Sequence, residues 1–343
     1  METLLIIVIS LLAVMALTQA VRIFEISAKI KGGDNDVKVN DKDNNTQGWL
    51  LILFLVFFFG AFAWMVAEYM ELTLPVSAST HGKDIDSLWD ISMGVILVAF
   101  LVTQPLLFGF AFMFRGRKTR KATYMEHNNK LELFWTGIPA VVLAGLILYG
   151  LTTWTNVMNP DNTEEEPMVI ELYAKQFGWQ ARYAGGDNTL GFANVRLIEG
   201  VNTLGVDGED KFSQDDVITT ELHLPKDRPV LLKFRSQDVI HSAYLPHFRV
   251  QMNCVPGTET MFQFTPDMTT AEMRNNPEMI EKVKRVNALR DERGEDPWEF
   301  DYVLLCNKIC GSAHYNMQMK VVVETQDEFD KWMKDQQTFA EML

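Results

Sequence analysis

Four long apolar blocks dominate the first part of the sequence, and they predict membrane-crossing helices. They cover residues 4–21, 49–67, 91–114 and 133–154 and contain almost no charged side chains. A helix that rises about 1.5 Å per residue needs about 20 apolar residues to cross roughly 30 Å of hydrocarbon. The alternative is a set of buried core helices in a soluble protein. Four such blocks in the first 155 residues favour a membrane anchor.

The basic residues between the blocks predict the orientation of this anchor. Five Lys or Arg residues fall within 115–121 and five more within 22–48, whereas loop 68–90 has only Lys83. Because basic loops stay in the cytoplasm, loops 22–48 and 115–132 are expected inside. The polypeptide that follows residue 155 is then expected outside.

Short strand-like runs replace the apolar blocks after residue 155. They cover 168–172, 178–183, 217–224, 230–235, 260–264, 300–305 and 319–324, and turn-forming residues separate them. Such a series is typical of a β-sandwich. Stretch 184–216 is expected to be an exposed loop. Stretch 265–299 is expected to be a helical insertion with Thr269 and Glu272 as a capping box, and 326–343 an amphipathic helix.

These elements predict a membrane-anchored all-β protein with four transmembrane α-helices followed by a β-sandwich. Charge follows the same division. Residues 1–155 have a net charge of −1 and residues 156–343 a net charge of −13. A strongly acidic chain argues against a nucleic-acid-binding protein, which needs a basic surface.

The three cysteines point to the chemistry of the outer part. Cys306 and Cys310 fall in the sequence CNKICGSAHYNM, which also contains His314 and Met317 at the spacing C-x3-C-x3-H-x2-M. Thiolate, imidazole and thioether are soft ligands that suit copper. A structural zinc site, which does not use Met, and a Cys306–Cys310 disulfide are the alternatives.

A further ligand is expected from another strand or loop of the sandwich. His241 follows the apolar run 230–240 and is the candidate, with His247 as a competitor six residues later. Cys254 lies near these residues in the sequence but is most simply a small buried side chain.

Several stretches around these residues carry a resemblance to a known family. They are Asp238-Val239-Ile240-His241-Ser242, Pro246-His247-Phe248-Arg249-Val250, Val255-Pro256-Gly257 and 306–317, with 131–140, Gln176-Phe177-Gly178-Trp179 and 329–332 as further matches. Over roughly residues 85–340 the chain resembles subunit II of cytochrome c oxidase. It looks like a bacterial form with two extra N-terminal membrane helices.

The resemblance implies a cupredoxin-like β-sandwich that holds the dinuclear copper centre CuA. By the family's pattern Cys306 and Cys310 bridge both copper ions. His241 and Met317 complete one copper ion, and His314 and the backbone carbonyl of Lys308 complete the other.

The resemblance also implies partners and a path for electrons. Cytochrome c, or a cytochrome c domain, reduces CuA, and the electron passes to haem in subunit I, where oxygen reduction is coupled to proton translocation. Subunits I and III are the expected partners in a bacterial plasma membrane, with the copper domain on the periplasmic side. The oxygen-reducing site is expected in another subunit, so no catalytic residue is expected in this chain.

Docking of the electron donor is expected on the acidic outer part. Opposite charges raise encounter rates, so its net charge of −13 suits a cationic donor, with Asp238 as the acid nearest the docking surface. Electrons enter the family's subunit through a Trp that aligns with Phe177, and Trp179 matches the family's second Trp. Core packing is the alternative role for Trp179.

Two further positions bear on the family's other sites. Lys308 stands where the family usually has a Glu that helps bind magnesium, so that site is not expected in its usual form. We expect the Lys308 ammonium to replace the ion's charge. Glu132 matches an acid at the cytoplasmic mouth of a proton channel, and its alternative role is a favourable charge at a helix N-terminus.

The resemblance divides the chain into three parts. Residues 1–84 are expected to hold the two extra helices, 85–155 the subunit II hairpin, and 156–343 the copper domain with insertions 184–216 and 265–299. The extra helices are expected to pack against other membrane subunits or a partner respiratory complex. The insertions are expected to recognise a particular cytochrome c domain or complex.

Other functions for the same features are a quinol-oxidising relative, nitrous oxide reductase, and a membrane-anchored copper carrier or assembly factor. The first lacks the copper ligands in its family pattern, and the second needs a large propeller domain. The third needs one labile copper and no proton-channel hairpin, and the match at 131–140 argues against it. No C-x2-C-H motif for haem attachment occurs.

Overall fold

Long helices form the apolar part of the chain. A computed structural model describes residues 2–31, 40–159 and 165–343. Its long helices are α1 (Glu2–Lys31), α2 (Asp41–Tyr69), α3 (Gly82–Met113) and α4 (Asn129–Met158). Within the described residues, α2, α3 and α4 are long and apolar enough to cross a membrane.

The predicted first transmembrane block, 4–21, is not one of these three spans. It lies within α1, which continues past Val21 through Arg22 and Glu25, and the side chains of residues 2–10 lie outside the described part. The described positions of the block, from Leu11 to Val21, belong to this helix but form only part of the predicted block. For the described residues the predicted four spans are therefore corrected to three. Residues 32–39 of the predicted cytoplasmic loop lie outside them as well.

Contacts divide the chain into two compact units, Met1–Glu68 with Val98–Asn128 and Tyr69–Leu97 with Asn129–Leu343. Aromatic side chains hold the first unit together. The ring centroids of Trp49 on α2 and Phe112 on α3 lie 4.8 Å apart in an edge-on arrangement. Phe100 makes similar contacts with Phe58 and Phe62. Each such ring pair stabilises the fold by about 0.5–1.5 kcal/mol more than the burial of its apolar area alone.

The second unit contains two five-stranded sheets, which confirms the predicted β-sandwich. One sheet has the strand order β3-β2-β1-β5-β8 and the other β4-β10-β9-β6-β7. The strands are β1 (Met168–Lys175), β2 (Gly178–Tyr183), β3 (Val217–Thr219), β4 (Leu222–Pro225), β5 (Val230–Ser236), β6 (His241–Leu245), β7 (Val250–Cys254), β8 (Thr260–Phe264), β9 (Tyr302–Cys306) and β10 (Gln318–Glu324).

The core lies between the sheets because apolar side chains alternate along their strands. On β5, Val230, Leu232 and Phe234 are buried while the residues between them are partly exposed. They belong to one apolar cluster with Leu304 of β9 and Val321 of β10. Burial of each side chain of this size contributes about 1.5–3 kcal/mol to the free energy of folding. The cluster therefore fixes the positions of the strand ends.

Two of the observed strands, β6 and β7, were not among those predicted. Buried polar residues, His241 and Ser242, interrupt the apolar pattern of β6, and β7 alternates buried and exposed residues over only five positions. The predicted strand 217–224 is divided into β3 and β4. The predicted strand at 300–305 lies instead at Tyr302–Cys306.

Helices occur in the predicted insertion and at the C-terminal end. The insertion 265–299 contains α5 (Thr270–Arg274) and α6 (Pro277–Glu292), and the capping box of Thr269 and Glu272 is confirmed. Stretch 184–216 is mostly irregular, with short helical turns at Val195–Leu197 and Lys211–Ser213. The predicted single helix at 326–343 is two helices, α7 (Gln326–Lys334) and α8 (Phe339–Met342), because Thr338 opens a new capping box with Glu341.

The segment ahead of α3, residues 75–81, is joined to the edge of the sandwich. The Ala78 N–H donates to the His247 carbonyl at 2.7 Å, and the Ser79 hydroxyl donates to the Phe248 carbonyl at 2.8 Å. Arg249 pairs with Asp86 of α3 at 2.7 Å. These contacts make residues 75–86 part of the sandwich edge rather than a free loop.

His247 is buried in this edge, and its Nδ1–H donates to the Val76 carbonyl at 2.8 Å. Burial lowers the pKa of His247 to about 4, although the hydrogen bond to Val76 opposes this shift. The imidazole is therefore neutral in the folded protein at neutral pH. In the unfolded chain it takes up a proton below its ordinary pKa of about 6.5.

The stability of the second unit should therefore fall as the pH drops from about 6.5 towards 4. His247→Gln keeps an N–H donor for Val76 and cannot titrate in this range, so it should weaken this loss. Thermal unfolding of the full chain at pH 7 and pH 5, followed by circular dichroism, measures the difference. Equal pH dependence in the wild type and the variant would contradict the assignment.

Candidate metal centre

The predicted ligands meet where two neighbouring strands end. His241 is the first residue of β6 and Cys306 the last of β9, and the two strands pair antiparallel with Ala243 opposite Cys306. The loop that follows β9 is closed by a hydrogen bond of 3.0 Å from the Cys306 N–H to the Met317 carbonyl. Strand pairing and this closure bring residues 65 positions apart in the sequence together.

Gly311 shapes the middle of this loop. Its φ of +150° is a conformation that L side chains rarely adopt. A Cβ atom built on it would lie 2.7 Å from the Phe177 ring. The position therefore needs a glycine, and the loop lies directly against the turn between β1 and β2.

Four further potential ligand atoms cluster around the two thiol sulfurs. Cys306 Sγ lies 3.8 Å from His241 Nδ1 and 3.2 Å from the Lys308 carbonyl oxygen. Cys310 Sγ lies 3.6 Å from His314 Nδ1 and 3.7 Å from Met317 Sδ. The two sulfurs are 3.8 Å apart. The structure thus brings every predicted ligand into one cluster.

The spacing of these atoms fits ligands that share metal ions. Two ligands about 2.2 Å from one metal at a tetrahedral angle are about 3.6 Å apart. The donor set of two thiols, two imidazoles, a thioether and a carbonyl fits copper. A disulfide does not describe this arrangement, because both cysteines are free and an S–S bond is about 2.05 Å long.

His241 is oriented by a carboxylate on the side away from the thiols. Its Nε2–H donates to Asp238 Oδ1 at 2.9 Å, which leaves Nδ1 with a lone pair facing Cys306. Burial acts to raise the pKa of Asp238, but hydrogen bonds from His241 and from the Gln176 and Val239 N–H groups lower it overall. The carboxylate therefore stays ionised and fixes the tautomer of the imidazole.

Cys310 lies in an environment that favours its protonated form when no metal is bound. Burial raises the pKa of Cys310 to about 11, with a further contribution from Cys306. Burial also raises the pKa of Cys254 to about 12. A metal ion must displace the proton from each ligating thiol, so metal binding here releases protons.

Of the two aromatic residues predicted near the centre, one is exposed and the other is buried. Phe177 is 38% exposed and packs against the loop at Gly311, whereas Trp179 is buried in the core. The Trp179 and His241 ring centroids are 6.2 Å apart in an edge-on arrangement. Trp179 therefore belongs to the core and contacts a predicted ligand as well.

Other residues singled out in the sequence lie around or away from the cluster. The Lys308 side chain is exposed, and Asp238 is partly exposed beside His241. Glu132 is an exposed residue in the first turn of α4. Cys254 is fully buried opposite His241 on β7, and His247 is buried against Val76. His247 does not compete with His241 for the thiols.

Gln176 touches the cluster although no role was predicted for it. Its side-chain amide donates to the Cys310 carbonyl, and its backbone N–H donates to Asp238 Oδ2 at 2.7 Å. The only sequence signal was its position directly before Phe177 in the aromatic stretch. A glutamine in a turn has no pattern that reveals a partner 134 positions away.

Comparison with known proteins places the chain in a family. A family model described as the transmembrane domain of cytochrome c oxidase subunit II matches residues 49–153. The alternative cytochrome c oxidase subunit 2 of Bradyrhizobium diazoefficiens is 32% identical over 250 residues, which cover 71% of this chain and 78% of that protein. Cytochrome c oxidase subunit 2 of Synechocystis is 26% identical over 277 residues, which cover 76% and 74%.

Among solved structures, the periplasmic domain of subunit II of cytochrome oxidase from Bradyrhizobium japonicum matches with a TM-score of 0.30. It is 20% identical, and the match covers 50% of this chain and 93% of that domain. The sequence match to the Bradyrhizobium diazoefficiens protein is the stronger finding, because it exceeds 30% identity and covers most of the length of both chains. On this ground the chain belongs to the cytochrome c oxidase subunit 2 family.

Proposed function

We propose that this chain is the electron-accepting subunit II of a respiratory cytochrome c oxidase and that it holds a dinuclear CuA centre. The observation that carries the proposal is the cluster at the ends of β6 and β9. The ligand atoms of His241, Cys306 and Cys310 all lie within 4.8 Å of one another. His314, Met317 and the Lys308 carbonyl lie within 3.7 Å of one of the two sulfurs.

A pair of copper ions held by these residues would supply a carrier for one electron. The residues of the chain keep the site rigid between redox states. His241 is held by Asp238, and Met317 is 1% exposed inside the core. Because buried side chains of a sandwich move little, the ligand atoms keep their spacing when the charge of the centre changes.

Electron delivery is proposed from cytochrome c, or from a cytochrome c domain, to the outer part of the chain. The net charge of −13 over residues 156–343 supports a cationic donor. Phe177 is the exposed aromatic side chain that lies against the ligand loop, and Trp179 lies behind it beside His241. We place the approach of the donor near Phe177 and Asp238, and we keep core packing as the main role of Trp179.

The proposed partners follow from where the electron goes next. The oxygen-reducing haem and its catalytic residues belong to subunit I, and subunit III completes the membrane complex. Proton translocation is a property of that complex, to which this chain contributes Glu132 at the mouth of a proton channel. Insertions 184–216 and 265–299 are proposed to recognise the donor or a partner respiratory complex.

The membrane arrangement is proposed from the three spans and the basic loops. Residues 115–121 carry five Lys or Arg residues at the end of α3, which supports a cytoplasmic position for this loop. The chain then crosses a bacterial plasma membrane several times, with the copper domain on the periplasmic side. We keep 1–84, 85–155 and 156–343 as the proposed domains.

Lys308 bears on a second metal site. Its exposed ammonium group stands where the family usually has a magnesium-binding Glu, and an ammonium group cannot ligate a cation. We propose that it supplies positive charge at the interface with subunit I in place of the ion. A coordinated magnesium beside Lys308 in an assembled complex would contradict this proposal.

A membrane-anchored copper carrier or assembly factor is the alternative function. A carrier must release its metal, which requires ligands that are exposed or mobile. Here His241 is fully buried, and Cys310 and Met317 are 5% and 1% exposed. Burial of three ligands favours a resident centre over a carrier.

Met317→Leu should change the copper centre without unfolding the protein. Leucine has nearly the same volume as methionine, so the free energy of unfolding should fall by less than about 1.5 kcal/mol. The loss of the thioether should shift the near-infrared absorbance of the copper-loaded full chain, because Met317 would be one of the soft donors to the metal.

Met319→Leu is the matched control, because Met319 is equally buried on β10 and does not contact the thiols. It should leave the absorbance as in the wild type. If both variants kept the wild-type spectrum while binding copper, Met317 would not be a ligand.

Glu132→Ala should slow the oxidase by removing a proton-accepting group at the cytoplasmic end of α4. In the assembled complex we expect turnover and proton uptake to fall several-fold, with copper content unchanged. Glu126→Ala, in the exposed loop before α4, is the control. Wild-type turnover and proton uptake in Glu132→Ala would show that the acid serves only the helix N-terminus.

A further inference from the structure

The turn between β1 and β2 contacts both halves of the ligand cluster. Gln176 lies in this turn, and its backbone N–H donates to Asp238 Oδ2 at 2.7 Å while its side-chain amide donates to the Cys310 carbonyl. The other oxygen of Asp238 accepts from His241 Nε2 at 2.9 Å. One residue thus connects the loop that carries Asp238, the partner of His241, to the loop that carries Cys310.

We propose that Gln176 is a positioning residue that sets the distance between His241 and Cys310. Cys310 belongs to a loop that strand pairing fixes only at its start, and His241 opens β6 directly after the connection that carries Asp238. Asp238 lies in the connection between β5 and β6, and Cys310 lies four residues beyond the end of β9. A hydrogen-bonded bridge between the loops limits how far they can move apart.

The neighbouring contacts support this bridge from both sides. The Asp238 carboxylate also accepts from the Val239 N–H at 2.7 Å, so it is held by its own loop. The Gln237 N–H donates to the Ala174 carbonyl at 2.9 Å, which ties that loop to β1. Phe177 then covers Gly311, directly beside Cys310. The turn therefore holds the ligand loop through one hydrogen bond and one ring contact.

The proposed role of Gln176 depends on the N–H donor of its side-chain amide. It donates to a carbonyl that has no other partner among the backbone hydrogen bonds of the described residues. A carboxylate at this position would face the carbonyl oxygen with an acceptor and repel it. Alanine would only remove the bridge. Gln176→Glu should therefore disturb the loop more than Gln176→Ala.

The proposal rests on the proposed function, because positioning matters only if the cluster binds metal. Its first test uses metal-free protein and is independent of copper. The full chain in detergent is treated with a maleimide, and the labelling rates of Cys306 and Cys310 are followed by peptide mass spectrometry. Cys254, fully buried and with a pKa of about 12, reports global unfolding in the same sample.

We expect Gln176→Ala to raise the labelling rate of Cys310 about fivefold, the effect of losing one ordinary hydrogen bond. Gln176→Glu should raise it further, and Cys254 should stay unlabelled in both. Gln180→Ala is the matched control, since Gln180 lies on the same hairpin and bonds to Thr203 rather than to the ligand loop. It should label like the wild type.

The second test uses the copper-loaded chain and its copper resonance and absorbance. A positioning role predicts that Gln176→Ala changes both spectra at unchanged copper content, whereas Gln180→Ala changes neither. A double-mutant cycle with Asp238→Asn should give non-additive spectral shifts, because both residues belong to one bridge.

The proposal would be overturned if Gln176→Ala and Gln176→Glu labelled Cys310 at the wild-type rate. It would also be overturned if Cys254 became labelled in parallel with Cys310, since Gln176 would then support the fold rather than the loop. A wild-type chain that binds no copper would contradict the proposed function, while the labelling result would still decide the role of Gln176.

Discussion

The pairing of β6 with β9 is the contact on which the candidate centre depends. It sets His241, at the start of one strand, beside Cys306, at the end of the other. The remaining ligands follow from it, because the loop after β9 closes on the same strand through the Cys306–Met317 hydrogen bond. A slip of one residue in this pairing would turn the side chains of β6 to the other face and separate the imidazole from the thiols.

The pairing is itself held by the apolar core. Leu304 of β9 and Ala243 of β6 are fully buried between the two sheets. Their burial fixes which face of each strand points inward, and the ligands stand at the ends of those same strands. The core therefore defines the geometry of the site, while Asp238 contacts the His241 imidazole and the turn at Gln176 contacts the loop of Cys310.

Sequence patterns were sufficient to predict the elements that depend on neighbouring residues or on a repeating apolar pattern. The spans of α2, α3 and α4 followed from apolar length, and the capping box at Thr269 marked the start of α5. The ligands could be predicted because soft donor atoms at short spacing have few other uses. His241 was harder, since only a resemblance to a family distinguished it from His247. The structure separates the two by burying His247 against Val76.

What the sequence could not show depends on contacts between distant residues. The edge formed by residues 75–86 carries no strand pattern, because its hydrogen bonds are made with residues about 170 positions away. The strand β6 was missed since buried polar residues interrupt its apolar pattern, and they are buried because they serve the site. The predicted first block at 4–21 is not among the three spans of the described residues, because the side chains of residues 4–10 lie outside the part that the structure describes.

The central proposal is that the cluster of Cys306 and Cys310 would hold a pair of copper ions that share one electron. Electron paramagnetic resonance of the copper-loaded full chain, together with its copper content, tests this most directly. We expect two copper ions per chain and a hyperfine pattern with more lines than one copper nucleus can give. A single copper ion with the pattern of one nucleus, or a single zinc ion with no signal, would contradict the claim.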